Sequence, residues 1–257
     1  MCTRREALRI GLLATASCAL GVMPVLEAQT LRRRPRGCVL PAADAGAFMS
    51  TASAERFFAT GNEPMISKSG DPDFDLALAH TLAKISDEFS VLPGFAYYDD
   101  FDGENAFAVP TVRLQNADGT VLFGQRYLKR LLASPESPDV AVAAVCAHEF
   151  GHILQYKRDL VRRVNEGQRT VKRVELQADF FAGFFAGLRK REREDFPAAV
   201  FALTQFNAGD SYVGDAQHHG TNEERGAAIS KGFEASYRQH LTLSDAIEAS
   251  VAYVTRI

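Results

Sequence analysis

The sequence predicts an α+β fold, mostly helical, with one small antiparallel or mixed sheet. Three observations carry this. Short runs of β-forming residues between turn signals are confined to one stretch, Phe95 to Phe123. Apolar residues at helical spacing occur on both sides of that stretch. An H-E-x-x-H sequence, His148 to His152, falls inside one of the helical segments. Helices with a single small sheet make an α+β domain. The 257 residues are enough for one well-cored domain and marginal for two. A 46% hydrophobic and 24% charged composition is that of an ordinary globular chain. The net charge of -3 gives no electrostatic footing for a nucleic-acid partner.

The first residues read as a targeting segment. Arg4 and Arg5 precede a mostly apolar stretch, Ile10 to Val25, and Leu26-Glu27-Ala28 offers a small residue at a cleavage position. A secretory signal peptide over 1–28, removed after Ala28, is expected, and with it export to the periplasm or the medium. Thr3 to Leu8 also fits a twin-arginine leader, so both export routes stay open. Cys18 after Thr15-Ala16-Ser17 is a poor match to a lipoprotein cleavage box. A spanning anchor needs ~20 apolar residues; Pro24 and the small side chains around it argue against one, and no long apolar run follows residue 30. Loss of the leader would leave Cys38 and Cys146, either as one bridge or as two free thiols. Residues 29–70, rich in Arg, Pro, Gly, Ala and Ser, read as a linker or N-terminal extension with one short helix near Ala54 to Thr60. The domain proper is expected over 71–257.

Within it the elements follow in order. Leu76, Ala79, Leu82, Ala83 and Phe89 keep a 3.6-residue period, giving a helix from Asp73 to Phe89 that carries His80 as an ordinary surface or core residue. Pro93-Gly94 ends it. Phe95–Tyr98, Ala106–Val109 and Thr120–Phe123 read as three strands, separated by turns at Asp99–Gly103 and Asn116–Gly119. Ser137-Pro138 starts a helix that runs through Ala141, Val145, His148 and His152 to about Tyr156, with serine as cap and proline at the first helical position. Further helices are expected over Val171–Leu188, Ala198–Phe206 and Asn222–Tyr237, with a polar loop from Asn207 to Gly220. There is no internal repeat.

The chemistry concentrates on two of these helices. Residues four apart share a helix face, so His148 and His152 can hold one ion, and Glu149 can reach a water bound to it. Zinc suits such a nitrogen-rich pair. Glu175 and Asp179 are also one turn apart. Glu175 can complete a site of two histidines and one glutamate with the fourth position open, and Asp179 can accept the ring N–H of a ligand histidine, His148 foremost. Phe180, Phe181, Phe184 and Phe185 mark their helix as mostly buried, where unpaired carboxylates are costly. One zinc per chain is expected, with Glu149 as general base for hydrolysis of a peptide bond.

These residues resemble the gluzincin metallopeptidases, most of all soluble, secreted relatives of the CAAX prenyl protease and HtpX families. Three further segments carry the resemblance. Asn105-Ala106-Phe107-Ala108 matches an N-A-F-A segment, Val121-Leu122-Phe123-Gly124 looks like the edge strand that follows it, and His219-Gly220-Thr221-Asn222-Glu223-Glu224-Arg225 is similar to an H-P-x-x-x-x-R segment. The resemblance spans roughly residues 73 to 235 and implies a zincin-like domain. It implies that Asn105 lies near the substrate cleft and that the strand containing Phe123 pairs with bound peptide by strand addition. It also implies that His219 stabilises the oxyanion and Arg225 supports the site. The chain departs from the pattern where Gly220 replaces the proline, and where about ten residues separate the N-A-F-A segment from the following strand. His218 adjoins His219 and rivals it for the oxyanion role; Tyr212 in the same loop is a third candidate. The segments Glu175–Asp179 and His219–Thr221 are also similar to a second bacterial family of neutral zinc metallopeptidases.

The expected function is that of an exported zinc-dependent endopeptidase acting on peptides or unfolded proteins, with no transmembrane domain once the leader is gone. The alternative is a zinc-binding, chaperone-like or quality-control protein with little hydrolysis. A purely structural zinc is disfavoured, because such sites are closed, four-liganded and rich in cysteine.

Overall fold

The computed structural model describes residues 61–257. The leader, Cys38 and the short helix expected near Ala54 to Thr60 lie outside the described residues. Helix α1 (Pro72–Phe89) opens the domain, capped by Asp71, whose carboxylate accepts the N–H groups of Asp73 and Phe74. Ser90 closes it in the left-handed conformation. Three strands follow: β1 (Gly94–Tyr98), β2 (Ala106–Val109) and β3 (Thr120–Gly124). Then come seven helices: α2 (Gln125–Leu132), α3 (Pro138–Lys157), α4 (Leu160–Asn165), α5 (Lys172–Glu192), α6 (Ala199–Phe206), α7 (Asn222–Tyr237) and α8 (Leu243–Val254). Eight helices and one three-stranded sheet make the described residues α+β.

The sheet is mixed, in the order β1-β3-β2. β3 runs parallel to β1, with Phe95 opposite Val121, and antiparallel to β2, with Phe107 opposite Leu122. This overturns one expectation. The strand of Val121 to Gly124 is the centre of the sheet, paired on both sides, so it has no free edge for strand addition. Residues 61–70, read from composition as the end of a linker, include a further sheet contact: Ile66 and Tyr97 exchange N–H···O bonds of 2.8 Å in each direction. Arg113 fastens the same segment by donating to the carbonyls of Gly61 and Glu63.

α2 follows β3 without a loop. Its first N–H groups are met from a distance, since the buried Asp100 carboxylate accepts from Arg126 N at 2.8 Å and Tyr127 N at 3.0 Å. Gly124 stands at this junction because a Cβ there would collide with that carboxylate. At the start of α3, Pro138 occupies the first turn as expected, but Ser137 adopts φ 42° and its hydroxyl makes no capping bond. Its carbonyl accepts from Val140 and Ala141 instead.

α3 is the central helix, buried from Val140 through Gln155. β2, α1, α2, α5 and α6 pack around it. α5 and α7 approach until backbone meets backbone: a Cβ on Gly183 would run into the Ile229 carbonyl oxygen, and one on Gly232 into that of Phe180. A phenylalanine cluster formed by Phe89, Phe181, Phe185, Phe196 and Phe201 fills the core between α1, α5 and α6. No helix among the described residues is long and apolar enough to cross a membrane.

Candidate metal centre

Adjacent turns of α3 carry His148 and His152, and the first turn of α5 carries Glu175. Gly151 lets the two helices meet here, since even its missing Cβ would sit 3.2 Å from Ala178 backbone. The ring planes of the histidines stand at 89° with centroids 4.7 Å apart. Their Nε2 atoms are 3.1 Å apart. Glu175 Oε2 lies 3.4 Å from His148 Nε2, and Oε1 lies 3.5 Å from His152 Nε2. All three residues are buried and their donor atoms form one cluster able to hold a metal ion.

The spacing and the hydrogen bonds fit a metal. Donors at 2.0–2.1 Å from a tetrahedral ion stand about 3.3–3.4 Å from one another; the two Nε2 atoms at 3.1 Å, and one Glu175 oxygen beside each of them at 3.4 and 3.5 Å, lie close to that edge. Both imidazoles are engaged through their other nitrogen. His148 Nδ1 lies 2.8 Å from Asp179 Oδ1, and His152 Nδ1 lies 2.7 Å from Gln155 Oε1. Both partners are acceptors there, which puts a proton on each Nδ1 and turns each Nε2 toward the other and toward Glu175, as the atom that would bind an ion. Neither Glu175 oxygen makes a hydrogen bond, although both are buried. Two imidazole nitrogens and a carboxylate facing one another in a dry interior call for a cation, met by a proton on His148 until a metal ion takes its place.

Asp179 in turn is gripped by Arg225 from α7, with Nε to Oδ2 at 2.8 Å and Nη2 to Oδ1 at 2.9 Å; Nη2 also donates to Gln205 Oε1. Arg225 therefore stands behind Asp179 and supports His148 at second hand. Burial works against the charge on His148, yet the Asp179 carboxylate, aided by Glu175, outweighs it and holds the pKa up at about 9. At His152 burial, with the charge on His148 beside it, outweighs the pull of Glu175 and pushes the pKa down to about 4. Burial opposes the charge on Glu175 and Asp179 as well, but the histidines, and for Asp179 chiefly Arg225, hold both carboxyls below their ordinary range.

Glu149, one residue beyond His148 on α3, is fully buried. His219 reaches the same centre, its Nδ1 3.4 Å from Glu175 Oε2, with a buried Nε2 that has no hydrogen-bond partner. It is steered there by Asp210, whose Oδ2 accepts the His219 backbone N–H at 2.8 Å. Gly220 then turns the chain at φ 101°, a conformation closed to proline, before Thr221 and Glu224 form a reciprocal cap on α7. His218 points elsewhere: its Nδ1 binds Asp210 Oδ1 at 2.6 Å and its Nε2 faces Glu224 at 3.9 Å. The Tyr212 side chain is exposed, and its backbone N–H donates to Asp210.

Two residues suggested for substrate contact stand differently. Asn105 lies just before β2, its carbonyl bound to Gly124 N–H and its buried Oδ1 without a partner. The Phe123 side chain is wholly buried in the core, stacked on Tyr127 at 5.7 Å, so the expected substrate role for it is withdrawn. Comparisons with protein-family models, curated proteins and solved structures found no match. Sequence reasoning missed Gln155, Gln177, Gln205 and Asp210. The first three are buried glutamines on mostly apolar helices, and that contrast was the signal available.

Proposed function

We propose that this chain is an exported zinc-dependent endopeptidase of the gluzincin type. The observation that carries the proposal is the convergence of two Nδ1-pinned imidazoles and an unpartnered carboxylate on one buried point, with Glu149 one residue along the same helix. His148, His152 and Glu175 would hold the ion. Zinc bound by three protein ligands lowers the pKa of a coordinated water to about 7 and polarises a carbonyl.

The chain's own groups complete the hydrolysis. Glu149 takes the proton from the attacking water as its oxygen bonds to the peptide carbonyl carbon. It then delivers that proton to the amine as the C–N bond breaks. His219 Nε2, free of protein partners, donates to the developing oxyanion. Asp179, backed by Arg225, keeps His148 oriented. Export rests on the charged and apolar leader in the sequence.

The alternative, a zinc-binding protein with little hydrolysis, draws support from burial, since the three ligands are at most 1% exposed. Metal analysis together with casein cleavage separates the two. The mature protein should hold one zinc, and Glu175→Ala should lose it. Casein should be cut by the wild type and spared in the presence of a chelator. Full zinc retention in Glu175→Ala would remove that residue from the site; a zinc-loaded protein inert on every unfolded substrate would favour the alternative.

A further inference from the structure

Behind His152 runs a chain of neutral polar groups that the hydrolytic chemistry does not use. Gln155 Oε1 faces His152 Nδ1 at 2.7 Å. Gln155 Nε2 donates to the Val174 carbonyl at 2.8 Å and to Gln177 Oε1 at 2.9 Å. Gln177 Nε2 donates to Ser250 Oγ at 2.9 Å, and Ser250 Oγ donates to the Ile247 carbonyl at 2.7 Å. Gln155, Gln177 and Ser250 are all fully buried.

The direction of every bond is determined. A backbone carbonyl can only accept, so the Gln155 atom beside Val174 O is the amide nitrogen, and its oxygen must face His152. Gln177 then has to accept from Gln155 with its oxygen and give with its nitrogen to Ser250. The Ser250 hydrogen goes to the Ile247 carbonyl, leaving its oxygen to accept. Two fixed carbonyls, on α5 and α8, thus force a proton onto His152 Nδ1 and leave Nε2 as the donor atom.

The two histidines are oriented by opposite means. His148 leans on an ion pair, Asp179 with Arg225. His152 leans on amides and a hydroxyl that carry no charge. A neutral support fixes the ring without adding another anion to a dry centre that already holds Glu149, Glu175 and Asp179.

We propose that Gln155, Gln177 and Ser250 are a positioning relay that locks His152 in its Nδ1–H tautomer and couples helix α8 to the metal centre. α8 is itself tied to α5 and α4: Arg173 donates to the Thr255 carbonyl, and Arg163 pairs with Glu248. This rests on the metal reading above, so the test has one arm that needs no metal. In the zinc-free wild type, nitrogen NMR of the imidazole should show His152 protonated at Nδ1 and bare at Nε2. Gln155→Leu should lose this single state. Its zinc affinity, measured by competition with a chromophoric chelator, should fall by roughly 10- to 100-fold. Ser250→Ala, which cuts the relay at its far end, should weaken zinc by a few-fold and serves where Gln155→Leu does not fold. A merely structural role would lower the melting midpoint of the zinc-free variants and leave tautomer and affinity unmoved. That result, or a wild-type His152 protonated at Nε2, overturns the relay. A wild type that keeps the Nδ1–H tautomer but binds no zinc overturns the metal reading and leaves the tautomer lock standing.

Discussion

At the scale of residues, the two histidines differ in the proton they hold. Asp179 keeps His148 charged to about pH 9, whereas burial keeps His152 neutral down to about pH 4. A metal needs the lone pair, so the His148 proton must leave when an ion binds. The sign follows: His148 is raised, so below about pH 9 binding competes with one proton, and affinity falls about tenfold for each unit of pH lost. At pH 6 His152 carries no proton to release, the Glu175 and Asp179 carboxyls are already ionised, and a zinc-bound water of pKa about 7 stays largely intact. Zinc binding at pH 6 should therefore release close to one proton, read as the buffer dependence of the calorimetric heat. Release near zero would contradict the raised His148, and release near two the lowered His152. The pairing of His148 with His152 and of Glu175 with Asp179 was legible in the sequence because one helical turn fixes which side chains share a face. The relay residues were not, because a glutamine on an apolar helix carries no mark of which nitrogen it serves.

At the scale of elements, the site depends on how closely α5 and α7 approach. Asp179 sits on α5 and Arg225 on α7, and their two-bond contact exists only because Gly183 and Gly232 let backbone touch backbone. Gly183→Ala should cost about 1–3 kcal/mol or more of folding stability through overpacking. It should also weaken zinc, because the helices that share the Asp179–Arg225 pair are pushed apart. Denaturant midpoints and zinc affinity on the same variant check this; an unchanged midpoint would mean that the helices have slack. Element readings succeeded where the signal is local. The proline start of α3 and the Thr221–Glu224 cap of α7 both stand in the sequence. α2 escaped because its cap, Asp100, lies 26 residues from Arg126, and its strand runs straight into it at Gly124. α8 offered a readable start in Thr242 and Asp245, whose cap the structure contains, and it was overlooked. The place of β3 at the sheet's centre could not be read, since all three strands are short and mostly buried, and strand order is decided by non-local pairing.

At the scale of the whole molecule, one central helix meets the sheet on one side and α5 on another, and the metal cluster lies where α3 and α5 cross. The fold class was legible because the β-forming runs are confined to one stretch, and the remainder is helical at the spacing the core requires. What the molecule does is a narrower matter than what it binds, and it turns on Glu149. In the proposed site this residue adjoins the ligand His148 without being one itself, so it can be changed while the metal stays. Glu149→Gln keeps the shape and removes the basic carboxylate. Zinc content and casein cleavage, measured on the same sample, should show full zinc and a loss of hydrolysis of at least ~10²-fold. Cleavage that persists at the wild-type rate in the zinc-loaded variant would contradict the account.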